Sequence, residues 1–210
     1  MLNGEQFISG FVDINPNSKI PAAVDRDGPG GRNINLFESA SIVLYLADKY
    51  KRFIPEDFGL RTEVMNWVFW QMGGQGPMCG NFGHFFVYAP ADKVETRDYG
   101  TARYGMEVQR LCSVLNNHLP TRTYLVGEEY TIADICCFPW ARQLMTGYPQ
   151  PAPSTLKAKE FLSIEENYPH MVAWVNRISE RPAVQRGITV CSFASPFPKP
   201  WLAPKEEAKA

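Results

Sequence analysis

Apolar residues recur along this chain with two different periods, and the change falls near residue 55. Residues 5–14, EQFISGFVDI, set Phe7, Ile8, Phe11, Val12 and Ile14 at loose helical spacing. Asn15-Pro16-Asn17-Ser18 breaks that run, so a short helix leading into a turn is expected. Residues 20–25, IPAAVD, read as a strand. Pro21 has no N–H to give to a ladder, which puts it at an edge, at the first residues of the strand, or in a cis bend. Asp27 to Gly31 with Arg32-Asn33 is turn chemistry, and Ile34, Leu36 and Phe37 form a second β-rich run, completing a β-hairpin. A helix follows through Ile42, Val43, Tyr45, Leu46 and Ala47, with Ser39 where its N-cap would sit.

After Pro55 the patterns are helical and long. Residues 61–73 carry Val64, Met65, Trp67, Val68, Phe69, Trp70 and Met72, too apolar for a surface helix and therefore buried or at an interface. The segment GGQGPMCGNFGHFF that ends this run reads as a loop or a broken helix lining something. Residues 99–119 form a long helix with Tyr104, Val108, Leu111, Cys112, Leu115 and Leu119 on one side. Thr131 as N-cap and Asp134 at N3 make a variant capping box, with Tyr130 and Ile135 at the positions of a hydrophobic staple, so a helix is expected over 131–146. Residues 149–153 read as a loop, and 169–179 as an amphipathic helix stopped by Pro182. From Cys191 onward a Pro-rich, then charged, tail is expected to lie extended along the surface.

Composition narrows the function classes. At 210 residues, 45% hydrophobic and 20% charged, the chain can bury a real core, as one domain or two small ones. A net charge of −1 with no basic stripe argues against nucleic acid or an anionic membrane as partner. No apolar run approaches the roughly 20 residues of a membrane span, and MLNGEQF lacks the features of a signal peptide, so the cytosol is the expected compartment. The five cysteines include no C-x-x-C pair and no histidine stands at ligand spacing, so neither a disulfide scaffold nor a metal site is expected. Cys136 and Cys137 read as small buried hydrophobes, which leaves Cys79 in the glycine-rich segment as the thiol to test for reactivity.

The candidate chemistry sits at Phe37-Glu38-Ser39. A helix beginning at Ser39 presents free N–H groups and a positive dipole end, which suit a small carboxylate. Glu38 beside it offers an anion to a cationic amine. A ligand bearing carboxylate and ammonium on one carbon, an amino-acid head, satisfies both. An ordinary capped helix with a solvated glutamate uses the same two residues.

Four segments carry a family resemblance: INPNSKIPA at 14–22, FESASI at 37–42, NWVFWQMGGQGPM at 66–78 and YTIADICCFPW at 130–140. In order and spacing they resemble the nu-class group of cytosolic glutathione transferases, which includes disulfide-bond oxidoreductases and the prion-forming nitrogen regulator. The resemblance runs from about Gly4 to Gly187. It implies an α+β then all-α fold: a partial thioredoxin-like domain (helix, β-hairpin, helix) over 1–54, an all-α domain over 57–190, and the tail 191–210. It also implies glutathione as a substrate, a small electrophile or disulfide as the second one, no metal, and a homodimer. By position, Pro21 matches the family's cis-proline, whose bend exposes the backbone of Ile20 to the cysteinyl part of glutathione. Glu38 and Ser39 match the pair that holds the γ-glutamyl head, and Gln6 and Lys19 match positions that approach the tripeptide. Arg103 matches an arginine that reaches a second glutathione or the partner subunit's site, while Gln71 and Asn81 are expected to face the same cleft. The family's opening strand, helix and strand, which supplies the residue bonded to the glutathione sulfur, precedes the position of Gly4. The sheet is therefore expected to be reduced to the hairpin, and no catalytic residue is assigned. Two functions follow as expectations: a glutathione-dependent transferase or disulfide reductase, or a catalytically impaired module that binds glutathione or only dimerises.

Overall fold

Asn15 fixes the entry into the hairpin. It is buried, its Oδ1 accepts the Asn17 N–H at 2.9 Å and its Nδ2 donates to the Lys19 carbonyl at 2.6 Å, so the turn over 15–19 is closed from inside. Among residues 5–8, 10–148 and 157–190, which this computed structural model describes, the only sheet is the one that this turn leads into. Its strands are β1, Ala22–Asp25, and β2, Ile34–Phe37, antiparallel with Ala22 opposite Phe37 and Asp25 opposite Ile34. The Ile20–Pro21 peptide is cis, and Pro21 precedes the first paired residue, so its missing N–H removes no ladder bond. The helix expected over 5–14 is not continuous. A 3₁₀ turn covers Glu5–Phe7, and Gly10 at φ +89° takes the chain out of helical geometry before the turns that end in the bond from Asn15 N–H to the Phe11 carbonyl.

Helix α1, Ser39–Tyr50, packs back on the hairpin. Its N-cap is Glu38 rather than Ser39, which is the first helical residue, and no side chain bonds the cap. Tyr45 and Lys49, one turn apart on α1, both donate to Oδ2 of Asp25 on β1. Lys49, then Tyr45, hold the Asp25 carboxyl down at about 2.

The rest is helical. Asp57 caps α2, Phe58–Trp70, by accepting the Leu60 N–H at 2.8 Å. Beyond Trp70 the glycine-rich segment stays helical: Gln71–Gln75 is wound as π-helix, α3 spans Gly76–Gly83, and His84–Tyr88 is a second π turn. Of the two readings of this segment, the broken helix is the one observed. Its backbone is held by α4, Val94–His118, which begins five residues earlier than its pattern suggests and passes so close that a Cβ on Gly100 would lie 2.3 Å from the Phe85 ring. On α2, Val64 and Val68 are buried, while Phe58 and Phe69 remain 83% and 68% exposed. That helix is thus apolar on both faces.

Helix α5, Ile132–Thr146, starts with the expected capping box: Thr131 Oγ1 accepts the Ala133 N–H and Asp134 Oδ2 accepts the Thr131 N–H. Tyr130 and Ile135 are half-buried against the core at the staple positions. Asp134 is itself fully buried and ties three elements together, since Oδ1 also accepts the Leu125 N–H at 3.0 Å and the Trp174 indole N–H at 2.9 Å. Burial raises the Asp134 carboxyl, against the pull of these donors. Short helices α6, Ala158–Phe161, and α7, Ile164–Asn167, lead to α8, Pro169–Ser179, and α9, Pro182–Thr189. Met171, Trp174 and Ile178 of α8 close the core over α5 and α4. The loop expected at 149–153, Cys191 and the tail lie outside the described residues.

Candidate functional site

The hairpin register ends with Ala22 opposite Phe37, so Ile20–Pro21, which leads into β1, and Glu38–Ser39, which follows β2, leave the sheet at the same end. All four residues are exposed, Ile20 at 61%. Two strand ends, a cis peptide and a helix start therefore converge on one outer corner of the fold. Lys19, also exposed, stands at the same corner on the turn that Asn15 closes.

Glu38 adopts φ +64° and ψ 116°, a conformation costing a non-glycine residue on the order of 1–3 kcal/mol and concentrated at functional sites. The twist separates two jobs. The Glu38 carbonyl accepts the Ile42 N–H at 3.0 Å, the first backbone bond of α1, while the carboxylate is spared from capping. Because no side chain caps α1, its first-turn N–H groups and dipole remain available beside a carboxylate. A positive backbone end and a negative side chain on adjacent residues suit a zwitterion.

Ser39 Oγ approaches Met72 Sδ at 3.9 Å, which brings the first π turn of the helical part to the same corner. Sequence patterning counted Met72 only as one more apolar residue of its run, and nothing in its spacing marks this contact. The remaining expected site residues are more scattered. Gln71 is 5% exposed and turned inward, its Nε2 so close to Gly76 that a Cβ there would lie 2.8 Å away. Gln6 is half-buried with Oε1 enclosed and without a partner among the described residues, and Asn81 is half-buried on α3. Arg103 is exposed on α4, where its charge helps to lower the Glu107 carboxyl, after the direct bond from Arg110. No hydrogen bond or ion pair among the described residues joins Gln6, Asn81 or Arg103 to the corner.

The position of Cys79 argues against a reactive thiol. It is 1% exposed in the core, and burial pushes its pKa up to about 12. Cys137 is fully buried and Cys136 partly so, its thiol raised by burial to about 11. Among the described residues no cluster of three or more His, Cys, Asp or Glu is placed to hold a metal, and no helix is long and apolar enough to cross a membrane.

Comparison with known proteins gives this arrangement a lineage. The model of the glutathione S-transferase C-terminal domain matches residues 85–182. An uncharacterized GST-like protein of Streptococcus mutans is 45% identical over 192 residues, covering 90% of this chain and 68% of that protein. The disulfide-bond oxidoreductase YghU of Escherichia coli is 45% identical over 185 residues, 88% of this chain and 60% of its own length. The chain thus spans about two thirds of these relatives. Among solved structures, a glutathione transferase of Burkholderia graminis with two glutathione molecules bound per subunit superposes with a TM-score of 0.82 at 38% identity, over 91% of this chain and 75% of that one. The β-hairpin with its helix, the helical part with its capping box, and these similarities together place the chain in the glutathione transferase family, beside its disulfide-bond oxidoreductases.

Proposed function

We propose that this chain binds glutathione at the corner formed by Ile20, Pro21, Glu38 and Ser39 and uses it to reduce disulfides. The observation that supports this most is that the paired strand ends bring the exposed Ile20–Pro21 segment and the start of an uncapped helix, with the Glu38 carboxylate beside it, to the same end of the hairpin. The amino-acid head of glutathione meets Ser39 and the α1 N-terminus with its carboxylate, and Glu38 with its ammonium. The cysteinyl backbone then pairs along the exposed edge at Ile20 in the manner of an added strand. Lys19 and Gln6 serve the remainder of the tripeptide, and Arg103 a second glutathione or the second site of a homodimer in the cytoplasm.

The reaction that fits is thiol–disulfide exchange. One glutathione thiolate attacks a disulfide sulfur, forms a mixed disulfide and releases the other half as thiolate. A second glutathione then attacks the mixed disulfide, so two thiols are oxidised as one substrate disulfide is reduced. The protein's share is to hold the reagent in line. A small electrophile in place of the disulfide would make the same site a transferase.

Calorimetric titration with glutathione, followed by turnover of a small mixed disulfide, tests both halves. Binding weakened by about tenfold in Glu38→Gln, with turnover by the parent chain above the buffer rate, is expected. Affinity indifferent to Glu38→Gln overturns the site. Binding without turnover leaves the site standing and removes the reductase.

A further inference from the structure

The carboxyl end of α1 and the amino end of α5 border an open surface cavity of about 420 Å³, whose lining includes Lys51, Arg52, Phe53, Tyr124, Tyr130 and Arg181. It lies at the far end of α1 from Ser39, twelve residues and so roughly 18 Å along the helix axis. Its only carboxylate is Glu129, so its three cations leave a surplus of positive charge. None of these four charges takes part in an ion pair among the described residues.

Two of the three cations lie against rings, and the loop that carries two of them has unusual backbone. The Arg181 guanidinium lies 4.0 Å from the Tyr130 ring centroid, and that of Arg52 lies 5.1 Å from the Phe53 centroid. Tyr130 in turn meets Phe53 and Tyr124 edge to face, at 5.8 and 5.5 Å. A guanidinium stacked on a ring keeps its in-plane N–H donors for another partner, and the one protein bond Arg181 makes here, to the Tyr124 hydroxyl, is long at 3.4 Å. Lys51 at φ +52° and Phe53 at φ +63° are both left-handed, where a helix end ordinarily takes glycine. The Phe53 carbonyl accepts the Ile132 N–H at 2.8 Å and pins this loop to α5. Neutralising the end of α1 accounts for a cation or two from its own terminus. It does not account for Arg181, brought in from the N-cap of α9.

We propose that this cavity is a binding site for a small aromatic dianion of the phosphate monoester type. The two guanidinium forks and the Lys51 ammonium take the phosphate, whose double charge matches the surplus, and the Phe53, Tyr124 and Tyr130 rings take the aromatic part. The α5 N-terminus contributes no donor, because Thr131 N–H, Ile132 N–H and Ala133 N–H are already bonded to Asp134, Phe53 and Thr131. The affinity therefore rests on the cations and rings rather than on the α5 N-terminus.

The test is an amide NMR titration of the full chain with phenyl phosphate, with phenol and inorganic phosphate as controls. Shifts confined to residues 51–55, 129–131 and 181, saturating at about millimolar concentration and persisting with saturating glutathione, are expected. Affinity should fall about tenfold in Arg181→Gln and, with the Tyr130 stack left intact, in the double variant Lys51→Gln/Arg52→Gln. No shifts at these residues, equal binding by the double variant, displacement by glutathione, or phenol or inorganic phosphate binding as tightly as phenyl phosphate would each overturn the proposal.

Discussion

Ser39 Oγ donates to Met72 Sδ across 3.9 Å, so the first residue of the helix that follows the hairpin touches the first π turn of the helical part. A sulfur is a weak acceptor, and the serine loses little by turning to a carboxylate. Ser39→Ala is therefore expected to leave the melting temperature unchanged while weakening glutathione roughly tenfold or more, the value of one hydrogen bond to a charged group. Calorimetric titration alongside a thermal melt separates the two effects.

If Glu38 holds the ligand's ammonium, its strained backbone is kept for function rather than for stability. Its φ of +64° is open to glycine, but ψ of 116° lies outside the left-handed well, so Glu38→Gly relieves only the strain due to Cβ and, set against glycine's entropic cost, should leave Tm within about 2 °C of the parent. The same change removes the anion offered to the ligand's ammonium, so glutathione affinity should drop. A glycine variant that melts about 4 °C or more below the parent would show that the Glu38 side chain adds no strain there.

Asp25 joins the hairpin to α1 through Tyr45 and Lys49, and its carboxyl is depressed to about 2 from an ordinary value of 3.8. A depressed carboxyl contributes stability that is complete above the unfolded value and is lost as the pH falls through the folded one. The stability difference between the parent and Asp25→Asn should thus be constant above about pH 5 and shrink between pH 4 and 2. Urea midpoints measured across that range check the sign.

Asp134 is the costliest polar group to remove. Asp134→Ala leaves the Leu125, Thr131 and Trp174 donors unpaired in the core and should cost about 3–5 kcal/mol. Thr131→Ala, which loses only the cap, should cost about 1 kcal/mol. Equal urea midpoints for the two variants would contradict this division.

If glutathione is the only working thiol, the buried cysteine in the glycine-rich helix is a bystander. Cys79→Ala should retain disulfide turnover within about twofold, and Cys79 in the folded parent should resist thiol reagents, as its raised pKa requires. Loss of turnover in a Cys79→Ala variant that still folds would point instead to a protein thiol in the reaction.

What could be read from the sequence was local. Thr131 and Asp134 stand three residues apart, and their box is written in that spacing; Pro21 ahead of an apolar alternation likewise announced an edge or a bend. The cap of α1 was misplaced by one residue because serine at a helix start ordinarily caps, whereas here the twist at Glu38 passes that place to the glutamate. The segment after Trp70 looked like a possible loop because glycine disfavours helix, but close packing under α4 holds it in π and α turns. Burial of Cys79 and the meeting of Arg181 with Tyr130 depend on elements far apart in the chain, which periodicity does not report.

Amide NMR titration of the full chain with glutathione addresses the corner at Glu38 most directly. The register and the uncapped helix predict that the amides of Ile20, Ser39 and Ala40 shift together and saturate with a single constant, and that Glu38→Gln weakens this response. If those three amides stay still while glutathione is raised to about 10 mM, well above an ordinary millimolar dissociation constant, the corner is not where this chain meets the tripeptide.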